Sequence, residues 1–519
     1  QRAMASAGTA PAAEEGPPAA AEGSSANDAA VSVDENGNGR IVFRHELLRK
    51  FGTVWEIRAV NESPCAGVRF SYFNNSKNAH NSNILQVILR DHGFHKTEPP
   101  DTEWNVFWCA GQVDPLSLRA LKPYQKVNKF PKASCLTLKA NLWTSFLRMQ
   151  THFGSAAFGY MPQTCVLPSQ LEMLEEWMEA PENDEAVWII KPAAAYCGKG
   201  INLYRGGQEL PEEVKAAKGV ACKYIDPPYL INGLKSDIRL YVLVTSWNPL
   251  VVYLYEEGLG RFATELYNVE HIERRCMHLT NYSLNKHNKK FVPNTDAAQD
   301  DAGSKWSLSA FRRQVAQDFG EAKAAEIWRA VDDLVVKTAI SVEHIMSGAL
   351  PNFLAAAAHG EHNSQCFQVF GFDVMLDGTG RPWLLEVNLD PALGTESPID
   401  HKIKSHMLVD LLNVVGVPVP VATAEGTTPM PMPVSGQGAE TAAGAGPAAD
   451  APPVPPAADA ARGADGFTQR EREALRIVNA EYERSQQGGW QRLFPSSRSK
   501  EYSGYLDPAR QLHHLPFNV

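Results

Sequence analysis

Apolar residues in the middle of the chain gather in short runs rich in Val, Ile, Leu, Tyr and Phe, at 186–191, 201–204, 220–225, 238–245, 250–256, 367–376 and 382–387. Runs of this length and composition predict strands. The turn signal Trp247-Asn248-Pro249 predicts a strand pair, and Asp377-Gly378 between two further runs is a strong hairpin signal. Helical spacing links Ile327, Val331, Leu334, Val335, Thr338 and Ile345 in a long segment ending near Gly348, and Leu408, Leu411, Leu412 and Val415 predict a later helix. Strands mixed with helices and joined as hairpins predict an α/β (α+β) fold with an antiparallel sheet; a parallel doubly wound sheet fits less well.

The pattern lapses at both ends. Residues 1–39 are rich in Ala, Gly, Pro, Ser and Glu with almost no large apolar side chains, a composition that predicts a disordered tail. Residues 419–466 repeat Ala, Pro, Gly and Thr and predict a disordered, flexible linker. Residues 467–519 regain aromatic and charged side chains, with a short charged helix expected over 470–487 and ended by Gly488-Gly489. This piece is expected as a helical appendage on a tether.

The 519 residues supply enough chain for two or more domains and a cleft. No run approaches the ~18 uninterrupted apolar residues of a membrane helix, and no secretory h-region is visible, so an intracellular protein off the membrane is expected. Eight cysteines without a CxxC are expected to be reduced packing thiols. The net charge of -10 argues against nucleic acid as a partner. Local charge differs: between 116 and 150 the chain carries Arg119, Lys122, Lys126, Lys129, Lys132, Lys139 and Arg148 and no acid. Such a block either steers an acidic partner or is a solvated basic face.

Most chemistry lies in Phe372-Asp373-Val374-Met375-Leu376 and Trp383-Leu384-Leu385-Glu386-Val387-Asn388. Folding about Asp377-Gly378 sets Asp373 roughly opposite Glu386, with Asn388 on the face of Glu386. Like charges across a strand pair repel, and a divalent cation resolves the conflict. Two carboxylates and an amide oxygen are hard ligands suited to Mg²⁺; the bland alternative is a solvent-facing hairpin with scattered acids. Lys191 ends an apolar strand before Gly198-Lys199-Gly200, so an ammonium and turn N–H groups can surround phosphates, although no GxxxxGK[ST] loop is present. In Lys235-Ser236-Asp237-Ile238-Arg239, alternation puts Lys235, Asp237 and Arg239 on one face, as a clamp for anionic oxygens or as a surface ion-pair ladder. Arg261 and the run His278-Leu279-Thr280-Asn281-Tyr282-Ser283 add polar recognition groups.

Together these features read as a nucleotide and Mg²⁺ site of the ATP-grasp kind. The segments Lys223-Tyr224-Ile225, Asp237-Ile238-Arg239-Leu240-Tyr241-Val242-Leu243-Val244, Met277-His278-Leu279-Thr280-Asn281-Tyr282-Ser283 and Trp383-Leu384-Leu385-Glu386-Val387-Asn388 resemble the tubulin tyrosine ligase-like family, in particular its polyglutamylases, over roughly 94–418. Glu481-Tyr482-Glu483-Arg484-Ser485 and the following Gly488-Gly489-Trp490-Gln491-Arg492-Leu493-Phe494-Pro495 are similar to a cationic microtubule-binding extension of some polyglutamylases.

The resemblance implies an ATP-grasp fold with N-terminal (40–120), central (121–225) and C-terminal (226–418) subdomains. It implies ATP-dependent ligation of L-glutamate to the γ-carboxylate of glutamates in tubulin C-terminal tails, through an acyl phosphate, with ATP and Mg²⁺ as cofactors. Asp373, Glu386 and Asn388 would then hold the metal. Lys191, Cys197 and Gly198 would lie at the ATP phosphates, Cys222, Lys223, Tyr224 and Ile225 at the adenine, and Lys235, Ser236, Asp237, Thr280 and Asn281 near the nucleotide, with Lys139 reaching in from the preceding subdomain. Arg239 would stabilise the intermediate, with Glu386 also catalytic, and Arg261, Tyr282, Ser283 and Lys305 would receive glutamate. Tubulin tails and microtubules are the implied partners of a monomer in the cytoplasm and cytoskeleton, with cilium or basal body as further addresses.

Two departures stand out. Ala195-Tyr196-Cys197-Gly198-Lys199-Gly200 puts Cys197 where the family usually has an arginine, and Leu389-Asp390-Pro391 replaces the common x-Ser-Pro, adding an acid beside the metal candidates. The alternatives are a glycine ligase of the same family, a glutamylase of another acidic protein, or a catalytically weak microtubule-binding pseudoenzyme.

Overall fold

The spine of the molecule is the 14-residue strand Leu234–Trp247. Residues 238–239 pair at once with Leu259–Phe262 and Gln368–Leu376, and residues 242–244 pair at once with Leu250–Tyr255 and Gln368–Leu376. One edge is therefore shared end to end by two short strands, while the other carries Gln368–Leu376 and, beyond it, Pro382–Asn388. Lys305–Ser307 extends the sheet past Leu259–Phe262, and all these pairs are antiparallel. The computed structural model describes residues 31–33, 39–45, 48–51, 54–57, 70–74, 79–98, 103–193, 198–358, 362–419, 462–507 and 511–519.

Both faces of this sheet are covered, which explains why its strands read as continuous apolar runs. Ile238, Leu240, Val242 and Val244 pack in one core with Ile327, Val331, Leu334 and Val335 of the 33-residue helix Glu321–Phe353. Tyr241 and Leu243 pack on the opposite side with Leu408, Leu411, Leu412 and Val415 of helix Pro398–Val415, which starts at a Ser397 N-cap. The long helix does not stop near Gly348. Pro351 sits in its last turn, and burial of Ala349 and Leu350 holds that turn in place.

A second antiparallel sheet, ordered Asn202–Arg205, Val187–Pro192, Gly219–Lys223, Thr164–Leu167, packs Trp188 and Ile190 against Leu174 and Met178 of helix Leu171–Glu179. The expected preference for antiparallel pairing fails in one place. Phe94–Lys96, Phe70–Asn74, Val106–Trp108 and Lys126–Val127 form a parallel sheet in that order. These strands of two to five residues are too short to carry a readable period.

The two ends also differ from expectation. Val31–Val33 pairs with Gly39–Ile41, which pairs in turn with Pro418–Val419, so the end of the expected tail and the start of the expected linker make one small sheet. The segment after 467 is built into the fold. Trp490–Phe494 is an edge strand of the main sheet on Leu250–Tyr255, and helix Gln469–Ser485 opens with a Thr468/Glu471 capping box. Its Ala474 and Val478 share a core with helix Pro398–Val415. The six cysteines among the described residues carry free thiols, and five are buried. No helix among the described residues is long and apolar enough to cross a membrane.

Candidate functional site

The face of Leu234–Trp247 that carries Tyr241 and Leu243 also carries Lys235, Asp237 and Arg239, and sheet register assembles a charged row across five strands. Lys305 is opposite Arg261, Arg261 opposite Asp237, Arg239 opposite Asp373, and Asp373 opposite Glu386. Arg239 donates from Nε to Asp373 Oδ1 (2.6 Å) and from Nη2 to Oδ2 (3.1 Å). Arg261 grips Asp237 in the same two-pronged way (2.8 and 2.5 Å) and reaches Asp373 Oδ2 at 3.0 Å. Burial alone would raise the pKa of Asp373, but the two guanidiniums overrule it and hold this carboxyl well below the usual range.

Glu386 reaches this face through a bulge. Val374 pairs with Leu384 while Asp373 pairs with Glu386, one residue out of step. The extra residue leaves Leu384 in the core and turns Glu386 to the opposite face. Asn388 Nδ2 lies 3.3 Å from Asp373 Oδ2 and 3.4 Å from Glu386 Oε1. The three side chains thus converge, and a half-turn of the Asn388 amide would present its oxygen beside the two carboxylates. This oxygen set suits a hard cation that keeps waters or phosphate oxygens as its remaining ligands. No group of three His, Cys, Asp or Glu side chains able to hold a metal occurs among the described residues. Glu386 Oε2 also pairs with Lys139 Nζ at 3.1 Å.

Lys139, Lys191 and Cys222 line one narrow crevice with Leu384 and Leu385 beside Glu386. Gly198, at a positive φ of 74°, lies so close to Asn281 that an added Cβ would stand 2.7 Å from its Oδ1. Arg275 donates to the Gly198 carbonyl. Lys235 is buried and donates to the Tyr224 hydroxyl (2.7 Å), with its Nζ 4.2 Å from the Tyr224 ring centre. Burial drives its pKa down to about 7, against the opposing pull of Asp237. Lys223 instead bonds Asn183 (2.7 Å). Ser236, opposite Phe262, shares the core face of Ile238, so its side chain points away from the charged row. Thr280 is buried, and Ile225 and Ser283 are half-buried nearby in the chain. Cys197 lies outside the described residues.

On the far side of the row, Lys305 Nζ is 2.6 Å from Asp400 Oδ2 and 4.2 Å from the Tyr282 ring centre. Asp400 also takes Lys404 (2.8 Å) and the Ser397 hydroxyl (2.7 Å). Burial opposes ionisation of Asp400, yet Lys404 and Lys305 bring its pKa down to about 2. His278, from the expected polar run, bonds the Tyr224 hydroxyl (3.0 Å), whereas Asp400 is not among the residues that the sequence points to. The only sequence signal for Asp400 was its place three residues after the Ser397 cap.

The acid-free stretch is not one open basic face. Lys126 and Lys129 are buried, and Lys122, Lys129 and Lys139 pair with Glu103, Asp390 and Glu386. Arg119 and Arg148 are exposed and bond carbonyls of Asn352 and Ser341 on the long helix, and neither pairs with an acid among the described residues. Towards the C-terminus, Arg472, Arg476 and Arg498 pair with Asp465, Glu473 and Glu501. Arg484 instead caps carbonyls of Asn413 and Val414 at the end of helix Pro398–Val415.

The chain is similar in sequence to several known proteins. Tubulin polyglutamylase TTLL5 of Homo sapiens is 41% identical over 338 residues, which are 64% of this chain and 25% of that protein. Tubulin monoglutamylase TTLL4 of Homo sapiens is 37% identical over 337 residues (64% and 26%). A probable beta-tubulin polyglutamylase of Tetrahymena thermophila is 37% identical over 322 residues (60% and 26%). The chain thus spans about a quarter of the length of these relatives. The family model described as the tubulin-tyrosine ligase family matches residues 117–425, more than half of the chain and all of the charged row, and the chain belongs to that family.

Proposed function

We propose that this chain is an ATP-grasp ligase that joins L-glutamate to the γ-carboxylate of glutamates in tubulin C-terminal tails. The observation that carries the reading is the row in which Arg239, Asp373 and Glu386 meet beside a crevice lined by Lys139 and Lys191. Names of relatives that refer to tubulin glutamylation support the same substrate.

A carboxylate resists attack by an amine until one of its oxygens becomes a leaving group, and bound Mg²⁺ and ATP supply that activation. Asp373, Glu386 and Asn388 would hold the metal, and Lys139 and Lys191 would hold phosphate oxygens. Gly198, Cys222, Tyr224, Lys235, Asp237, Thr280 and Asn281 border the nucleotide side. Arg239 is fixed before any substrate arrives, because Asp373 grips it at two points. A cation so preorganised stabilises negative charge that develops at the attacked carbonyl without reorganising. Arg261 and Lys305 are direct cross-strand neighbours. Arg261 is now held by Asp237 and Asp373 and Lys305 by Asp400; exchange of such contacts for the two carboxylates of an incoming amino acid favours glutamate over glycine, with Tyr282 and Ser283 beside them. The exposed charges of Arg119 and Arg148 attract the acidic acceptor, and microtubules of the cytoplasm or cilium are the setting.

The test supplies purified chain with ATP, Mg²⁺ and microtubules, and labelled glutamate or glycine in separate reactions, with the tubulin tails read by mass spectrometry. Glutamate incorporation is expected, and Glu386→Gln should abolish it while microtubule binding persists. Glycine incorporation alone overturns the donor assignment; binding without incorporation of either overturns the enzyme.

A further inference from the structure

Asp390 departs from the common family pattern and follows two residues behind Asn388. Its surroundings show what the acid does. Asp390 pairs through Oδ1 with the ammonium of Lys129, and its Oδ2 accepts a hydrogen bond from the Gly111 N–H at 2.7 Å. The Lys129 side chain is only 2% exposed, whereas that of Asp390 is 40% exposed. Lys129 and Gly111 belong to the layer built on the parallel sheet, where Asn128 bonds the Cys109 N–H and carbonyl. Gln368, at the start of the strand bearing Asp373, accepts from the Phe130 N–H (3.0 Å) and donates to the Leu389 carbonyl (3.4 Å).

The next residue, Pro391, folds back over the sheet. A Cβ added to Gly371 would lie 3.2 Å from Pro391 Cβ and 3.3 Å from Arg239 Cδ and Nε, so Pro391 and the stem of Arg239 meet over the same glycine. Gly371 is also the cross-strand partner of Asn388. The exit of the donor strand, the amide of Asn388 and the stem of Arg239 therefore share one small area, pinned from outside by Asp390.

We propose that Asp390 is a positioning residue: its bonds to Lys129 and Gly111 fix the end of strand Pro382–Asn388, and through it the placement of Asn388 and Arg239. An acid committed to a buried ammonium and an amide N–H does not need a metal to balance it, so Asp390 is not itself a ligand. This rests on the reading of Asp373, Glu386 and Asn388 as the metal site.

The experiment measures binding of a fluorescent ATP analogue to the full chain as Mg²⁺ is titrated, with thermal melting alongside. Lys129→Met separates the alternatives, since it frees the Asp390 carboxylate. If Asp390 positions the strand, the Mg²⁺ concentration at half-saturation should rise about tenfold while metal-free affinity for the analogue stays within about twofold. Asp390→Asn should give a similar rise, and combining it with Lys129→Met should add little. If Asp390 were a ligand, Lys129→Met would leave the Mg²⁺ requirement unchanged or lower it, and this result overturns the proposal. A lowered melting temperature in Asp390→Asn with unchanged Mg²⁺ half-saturation overturns it too, by making the contact merely structural. Should the unmodified chain bind the analogue without any Mg²⁺ dependence, the metal-site reading falls first and takes this inference with it.

Discussion

The charged row of the main sheet and the C-terminal segment are both rich in arginine, yet they use it in opposite ways. In the row, partners far apart in sequence meet by cross-strand register: Arg239 is 134 residues from Asp373 and Arg261 is 24 from Asp237, and the two carboxylates are buried while the two guanidiniums keep only 12% of their side-chain surface exposed. In the C-terminal segment, several ion pairs join near neighbours on the surface, as in Arg476–Glu473 and Arg498–Glu501, while apolar residues attach the piece to the molecule. Buried pairs cost desolvation and are expensive to break singly, whereas exposed pairs contribute little. The row keeps charge where chemistry needs it, and the end segment is held by packing.

That contrast is broken most directly at Trp490. Its side chain is 1% exposed, its ring centre is 5.0 Å from that of Tyr255, and its Nε1 donates to the Met407 carbonyl at 3.2 Å. Trp490→Ala should destabilise the whole chain by about 3 to 5 kcal/mol in urea unfolding. A loss below about 1 kcal/mol would restore the picture of an appendage. The next largest effect is expected for Arg239→Met, which leaves Asp373 buried with one guanidinium instead of two. It should cost about 3 kcal/mol, and Arg239→Met combined with Asp373→Leu should cost less than the single change. Equal or additive losses would mean that the row is stabilised by packing alone.

How much of this was legible in the chain depends on the range of the signal. The hairpin at Asp377-Gly378 was plain because its turn is local: Asp377 Oδ1 accepts the N–H groups of Thr379 and Arg381. The meeting of Asp373 with Glu386 was expected, but the bulge that achieves it was not, since strict alternation would have left Glu386 on the core face of Leu384. The strand face shared by Asp237 and Arg239 followed from period two. Their partners did not, because register between distant strands is set by the whole sheet. Asp400 illustrates the same limit: one acid in helix Pro398–Val415 becomes a ligand of two lysines only when that helix packs on the sheet. The acid-free stretch misled for a related reason, since the acids that neutralise Lys122, Lys129 and Lys139 come from 103, 390 and 386. Burial of Trp490–Phe494 as a sheet edge was hidden behind a low-complexity segment that reads as a tether.

A smaller effect sharpens the electrostatic half of the comparison. Lys235 is buried among Tyr224, Lys191, Asp226 and Asp237, with His278 across the Tyr224 hydroxyl, and burial lowers its pKa from 10.5 to about 7. Between about pH 7 and 10.5 the unfolded chain holds a proton there that the folded chain has released. Stability should therefore rise with pH across this window, by at most about 1.4 kcal/mol per unit for one proton. Lys235→Met should flatten that part of the curve. In the opposite sense, affinity for a nucleotide anion should fall as pH passes 7 in the unmodified chain and become less pH-dependent in the variant. A stability curve unchanged by Lys235→Met would show that the ammonium is better solvated than its burial implies.

The smallest effect belongs to the surface of helix Gln469–Ser485. Arg476 donates to both carboxylate oxygens of Glu473 (3.0 and 2.7 Å), but the two side chains are 40% and 41% exposed. Water screens the attraction, and two long side chains lose rotamer freedom to hold one geometry, so Arg476→Ala should shift stability by no more than about 0.5 kcal/mol. Raising the salt concentration should erase even that difference, because the Debye length falls to about 3 Å at 1 M. The same salt jump should leave the cost of Arg239→Met nearly intact, since ions do not reach a buried pair. If both variants respond alike to salt, burial does not separate the two regions, and the cations of the row are as open to solvent as those of the helix.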